Sequence, residues 1–155
     1  MTTLAVRPSD NIFGGLDTPT AGREAGSLKL ALWSELERLR GKGARTSGAF
    51  HDLESLAREN GTTVQQSATF TIAQRLLLVL PSDIPSPDLD VDNEGDVVFD
   101  WCGTGSRMMT IALGEDGRVS YAARLSSTKK RNGNDLFIDV VPPEIIDLVR
   151  AVTGQ

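Results

Sequence analysis

The stretch Val97-Val-Phe-Asp-Trp-Cys-Gly-Thr-Gly-Ser-Arg-Met-Met-Thr-Ile-Ala-Leu113 decides how this chain is read. Val97, Phe99 and Trp101 alternate with Val98 and Asp100, and Met109, Ile111 and Leu113 alternate with Thr110 and Ala112. A period of two is the signature of pleated backbone with one buried face. Between the two runs, Cys102-Gly-Thr-Gly105 supplies glycines that accept the positive φ of a tight hairpin. A loop that short leaves the second strand no choice but to run antiparallel beside the first.

The same grammar extends in both directions. Leu89 and Val91 alternate with Asp90 and Asp92 before the turn Asn93-Glu-Gly95, and Val119, Tyr121, Ala123 and Leu125 alternate with Ser120 and Arg124 after Gly114-Glu-Asp-Gly117. A polar loop is expected over Ser126 to Asp135, then a fifth strand over Leu136 to Val140. Pro142-Pro143 opens a short helix carrying Ile145, Ile146, Leu148, Val149 and Val152, with Gly154 to end it.

Upstream the period becomes helical. Leu28, Leu32, Leu36 and Leu39 form one stripe between Ser27 and Gly41, with Trp33 off that stripe. A second helix is predicted over Ala49 to Glu59, with Phe50, Leu53, Leu56 and Ala57 on one side and Asn60-Gly61 as a stop. The β-branched residues of Val64 to Ile72 also suit a strand, but the spacing of Ala68, Ile72, Ala73, Leu76, Leu77 and Leu80 favours a third helix over 64–80, up to Pro81. Three prolines make residues 81–88 a semi-extended connector. Residues 1–26 show no period and read as a tail. The expectation is an α+β fold: an antiparallel β-meander of four to five strands packed on N-terminal helices and a short C-terminal helix. A single domain spans 27–155, helical over 27–80, with the meander and last helix over 89–155.

A helix ending in Leu80-Pro81, a Pro-rich link, Asp92-Asn-Glu-Gly-Asp-Val-Val-Phe-Asp-Trp101 and Gly114-Glu-Asp-Gly-Arg-Val-Ser-Tyr121 together resemble a diffuse group of small bacterial proteins. The likeness covers roughly residues 68–123 and rests on hairpin chemistry. Members often carry Trp-Asp-Gly before the helix, where this chain has Glu59-Asn-Gly-Thr62. The resemblance implies no activity.

Composition restricts function more than it assigns it. The 155 residues carry a formal charge of −5, with 39% hydrophobic and 24% charged residues, and the sequence pI is about 4.9. The long-range field therefore repels nucleic acid and anionic lipid, and favours a protein partner with a basic surface. Cys102 is the single cysteine, so an internal disulfide and a thiolate zinc cage are both excluded, as suits a reducing compartment. The longest apolar run, Leu76 to Leu80, is far too short for a membrane helix. Met1 to Gly15 lacks the basic start and apolar stretch of a secretory signal, which predicts a cytoplasmic protein.

Asp90-Val-Asp-Asn-Glu-Gly-Asp-Val97 partly mimics a calcium loop, but Trp101 stands where the bidentate glutamate is needed, so it reads as an acidic hairpin turn. Neither a metal nor a cofactor is expected. Thr128-Lys-Lys-Arg131-Asn-Gly133 is the one dense basic run, read as a solvated loop tip or a contact for an acidic protein surface; it lacks the aromatics that stack on nucleobases. Cys102 and His51 carry no nucleophile signature around them. Asp96 and Asp100 share one strand face with water, and so are read as solubilising.

The leading expectation is a non-enzymatic protein-interaction module, with Trp33, Lys129, Lys130, Arg131, Asp96 and Asp100 as candidate contact residues. A homodimer through the Leu28–Leu39 stripe and Trp33 is left open. One alternative is a phage-type inhibitor, of the anti-CRISPR, anti-defence or immunity kind, presenting acidic surface to a basic nucleic-acid-binding target. Another is an enzyme or small-ligand binder, for which Asp100, Arg107, Tyr121 or Arg124 would have to gather in a cleft between helices and sheet.

Overall fold

The computed structural model describes residues 31, 32, 36 and 47–155. The chain divides into two units after residue 40. In the first, residues 31, 32 and 36 are helical, and Leu32 and Leu36 are exposed. The tail over 1–26 and the rest of the leucine helix, Trp33 included, lie outside the described residues.

In the second unit two helices pack on one face of a five-stranded antiparallel sheet and a third shares their core, an α+β fold. The first described helix, α1, runs over 47–59 and buries Ala49, Leu53 and Ala57, spaced four apart on one face. Helix α2 spans Ala68–Val79. It begins at Ala68, the first residue of the apolar spacing and four residues after Val64, because Ser67 takes extended backbone and its side chain accepts the Phe70 N–H, at 3.4 Å. Val64 is nevertheless buried, and its carbonyl accepts the Thr71 hydroxyl at 2.6 Å. Pro81 stops α2 by removing the next amide.

The connector is pinned rather than loose. Ile84 is buried, the Trp101 indole donates to the Pro85 carbonyl at 2.8 Å, and Arg150 grips Asp83 through two nitrogens, at 2.7 and 3.2 Å.

Strands β1 (Asp88–Val91), β2 (Val97–Cys102), β3 (Met108–Leu113), β4 (Arg118–Arg124) and β5 (Lys130–Leu136) lie side by side in chain order. Val97, Phe99, Trp101, Met109, Ile111, Leu113, Val119 and Ala123 all point to the covered face and are buried. Each large one stabilises the fold by roughly 1.5–3 kcal/mol relative to exposure. Helix α3 (Pro143–Thr153) closes that face over β2, β3 and β4 and buries Ile145, Ile146, Leu148, Val149 and Val152. Its end presses on the β2–β3 hairpin so closely that a Cβ on Gly103 would lie 1.9 Å from the Val152 carbonyl oxygen.

Two expectations need correction. The segment 126–135 is not a polar loop: after a turn of a few residues the chain re-enters the sheet as β5 at Lys130. Conversely, only Leu136 of the expected strand Leu136–Val140 is a strand residue, and the chain bends over 138–140. The alternation there is real, because Phe137 and Val141 are buried while Leu136, Ile138 and Val140 are exposed. It is produced by a bend anchored at Phe137, whose N–H closes the ladder on the Gly117 carbonyl at 2.8 Å, and by Arg75 of α2, which binds Asp139 and the Ile138 carbonyl.

Candidate protein-interaction edge

Strand β5 follows β4 through a turn with no glycine or proline. The Leu125 N–H donates to the Lys129 carbonyl at 2.9 Å, and the Ser126 hydroxyl oxygen accepts the N–H groups of Thr128 and Lys129, at 3.3 and 3.0 Å. Ser126 thus builds the turn that glycine usually builds. From there β5 pairs with β4 in a register running from Arg124 opposite Lys130 to Arg118 opposite Leu136.

The bonds Leu125 to Lys129 and Phe137 to Gly117 bracket this ladder. Antiparallel pairing turns alternate residues toward the neighbouring strand. Arg131, Gly133 and Asp135 therefore bond inward to β4, while Lys130, Asn132, Asn134 and Leu136 turn their backbone groups to the rim. Asp135 accepts the Leu136 N–H at 2.7 Å, which leaves the amides of Lys130, Asn132 and Asn134 open to a partner. All residues of β5 except Gly133 are exposed.

Besides its ladder to β4, this polar strand has one close side-chain contact with the sheet, at Gly133. A Cβ there would lie 2.5 Å from the Tyr121 hydroxyl oxygen and 2.7 Å from its ring, so the aromatic ring lies directly on the glycine backbone. Burial of that ring pushes the Tyr121 phenol above its ordinary value, and the negative charge of Glu144 pushes it further.

At the other margin, β1 has four residues, of which Leu89 and Val91 turn outward, since the Asp92 N–H bonds inward to the Asp96 carbonyl at 3.0 Å. Asp90 accepts the Val91 N–H at 2.8 Å. Leu89 and Val91 also pack against the core.

Of the candidate contact residues, Lys129, Lys130 and Arg131 are brought together, all exposed, at the start of this edge; Lys130 and Arg131 are strand residues, not a loop tip. Asp100 lies on the uncovered face of the sheet between Asp88 and Thr110, and accepts the Thr110 hydroxyl. Asp96 closes the β1–β2 turn, where the Asp92 carboxylate accepts the N–H groups of Glu94 and Asp96 at 2.9 and 3.0 Å. Trp33 lies outside the described residues. Asn132 and Asn134 were not singled out by the sequence, although the near-mirror order Arg131-Asn-Gly-Asn-Asp135 was there to be read.

The groups an enzyme reading needs are dispersed. Asp100 and Arg124 lie on the uncovered face, Tyr121 on the helix-covered face, and Arg107 reaches the Ala151 carbonyl at 3.3 Å. Cys102 is exposed at the end of β2, and His51 is exposed on α1.

An open cleft of about 460 Å³ is lined by Thr69, Glu94, Asp96, Glu115, Asp116 and Arg118, among others. Desolvation, then the charges of Asp92 and Glu94, raises the Asp96 carboxyl above its ordinary value. Among the described residues no group of three or more His, Cys, Asp or Glu is arranged to hold a metal, and no helix is long and apolar enough to cross a membrane. No protein-family model, curated protein or solved structure matches the chain.

Proposed function

We propose that this chain is a non-enzymatic protein-interaction module that binds by accepting a partner strand along β5. The observation that carries the reading is the row of outward amides at Lys130, Asn132 and Asn134 on a seven-residue edge with nothing against it among the described residues. Main-chain hydrogen bonds supply affinity in such strand addition, and flanking side chains supply specificity. Here the flanks are explicit. An antiparallel newcomer meets Arg131 near one end and Asp135 near the other, so it needs an acidic residue toward its own C-terminus and a basic one toward its N-terminus. Beyond Leu136 the exposed Ile138 and Val140 offer apolar contact.

The test is a synthetic heptapeptide with Arg second, Glu sixth and Thr or Val between, against a control with those two charges exchanged. The first peptide slows amide exchange at Asn132 and Asn134 and the control does so weakly. Unchanged exchange with both peptides, at a dilution where the chain is monomeric, would overturn the reading.

A second reading draws on the acidic end of the sheet, where Asp92, Glu94, Asp96, Glu115 and Asp116 crowd two neighbouring turns. This concentration of charge supports a role as an inhibitor that presents acid to a cationic protein groove. Salt-sensitive binding to polylysine, lost when Asp92, Glu94 and Asp96 become amides, is the expected result.

A further inference from the structure

The charges that β5 demands of an incoming strand are the charges β5 itself carries. Read from Arg131 to Asp135, the strand is Arg-Asn-Gly-Asn-Asp, a sequence that reverses into its own electrostatic complement about Gly133. We propose that the strand accepted at this edge is β5 of a second copy, so that two sheets join through a two-fold axis at Gly133 into one ten-stranded sheet. This rests on β5 being a docking edge, and names its occupant.

Backbone geometry permits the pairing. An axis at Gly133 sets Asn132 opposite Asn134 of the second copy and Lys130 opposite its Leu136. These four residues are the ones whose N–H and C=O groups already face the rim, so outward groups meet outward groups in roughly eight hydrogen bonds. Gly133 meets its own copy at the axis in the close, non-hydrogen-bonded spacing, where the absence of side chains is an advantage.

Charge and the number of main-chain bonds together select this register over its neighbours. At the Gly133 axis Arg131 faces Asp135 of the second copy, and the symmetry repeats that pair; Asn faces Asn, and the Lys130 stem lies across the exposed Leu136. Moving the axis to Asn134 sets Arg131 against Phe137 and loses both ion pairs; moving it to Asn132 sets Arg131 against Gly133 and Asp135 against Lys129, which keeps two ion pairs but leaves three hydrogen-bonded pairs within β5 instead of four. Asp135 also acts as a guard. In the single copy it occupies the Leu136 N–H; on pairing, that amide passes to the Lys130 carbonyl of the second copy and the carboxylate turns to Arg131.

The experiment is sedimentation across a wide dilution series, with amide exchange read in parallel on the full chain. The native protein dimerises as concentration rises, and Asn132 and Asn134 become protected together with it. Arg131→Asp puts two acids opposite each other twice per dimer, and Asp135→Arg does the same with two bases. Each alone weakens association by roughly tenfold or more. Mixed together, the two variants carry complementary strands and recover the dimer. All four side chains involved are exposed, and circular dichroism checks that both variants keep the sheet.

Recovery on mixing, with protection at Asn132 and Asn134, supports self-pairing. A protein monomeric at every concentration whose Asn132 and Asn134 amides exchange freely overturns self-pairing but leaves β5 an open docking edge. A monomer with those amides protected overturns both readings. A dimer that survives in each variant alone uses another surface and overturns self-pairing.

Discussion

The two margins of the sheet solve the same problem in opposite ways. Strand β1 is short, turns only Leu89 and Val91 outward, and has the Val91 amide already occupied by Asp90. It is attached by side chains, since Leu89 and Val91 pack on the core. Strand β5 is nearly twice as long, turns four residues outward, and has one of those amides occupied. It is attached by backbone and by one aromatic ring over one glycine. Short length, self-capping and acidic side chains are how proteins blunt an edge. The difference teaches that a margin held by its own side chains has closed itself, whereas one held by its ladder keeps its outer side for something else.

The largest expected effect comes from breaking the attachment of β5. Gly133→Val places methyl groups where Tyr121 now lies, and overpacking of this kind costs about 1–3 kcal/mol. The loss is capped, because an edge strand relieves the clash by detaching. Urea unfolding should therefore show a lower midpoint, with exchange accelerating over 130–136 more than elsewhere. Tyr121→Ala in the same chain should remove most of the Gly133→Val penalty, since the two residues form one contact.

The corresponding change at the other margin is Leu89→Ala. Half-buried, this side chain gives up about 1–2 kcal/mol, and the loss belongs to the core rather than to the edge. Unfolding stays a single transition and exchange over 130–136 is unchanged. A loss of protection at β5 in this variant would mean that the margins are coupled and that the contrast between them is wrong.

The same contrast explains what could be read from the chain. Strands β1 to β4 and helix α3 were legible because each buries one face, and burial writes itself as alternation or as a 3.6-residue stripe: Val97, Phe99 and Trp101 in one case, Ile145, Val149 and Val152 in the other. Strand β5 buries neither face, so Lys-Arg-Asn-Gly-Asn-Asp carries no hydrophobic period, and the turn before it uses a Ser126 hydroxyl instead of glycine. The apolar alternation just beyond it, at Leu136 to Val140, offered a false strand in its place. Of the candidate site, the charges of Lys129 to Arg131 were visible, but their position on an edge was not. That is a property of pairing, which depends on β4 as much as on β5.

A smaller effect belongs to the acidic turn next to β1. Asp96 has its carboxyl raised by burial first, and then by Asp92 and Glu94. A carboxyl raised in the folded state holds a proton that the unfolded chain has already released, so stability falls as pH rises through that interval. Asp96→Asn should therefore raise the urea midpoint at neutral pH, and the advantage should vanish below the ordinary carboxylate range. An equal gain at both ends of the pH scale would assign the effect to packing instead of charge.

The smallest effect is optical, and it reports on β5 alone. The chain has a single tyrosine, so absorbance of phenolate follows Tyr121 without deconvolution. Burial of its ring, with Glu144 nearby, predicts a midpoint above the ordinary phenol value of about 10. Because the folded state retains the proton, stability attributable to this group is full below that value and is lost as pH climbs through the higher folded midpoint. Glu144→Gln should lower the midpoint only partway, since burial is the larger cause. Gly133→Val should lower it further, because a detached β5 uncovers the ring. A midpoint indifferent to Gly133→Val would show that the ring is shielded by α3 rather than by the edge strand, and the attachment argued for β5 would have to be found elsewhere on that strand.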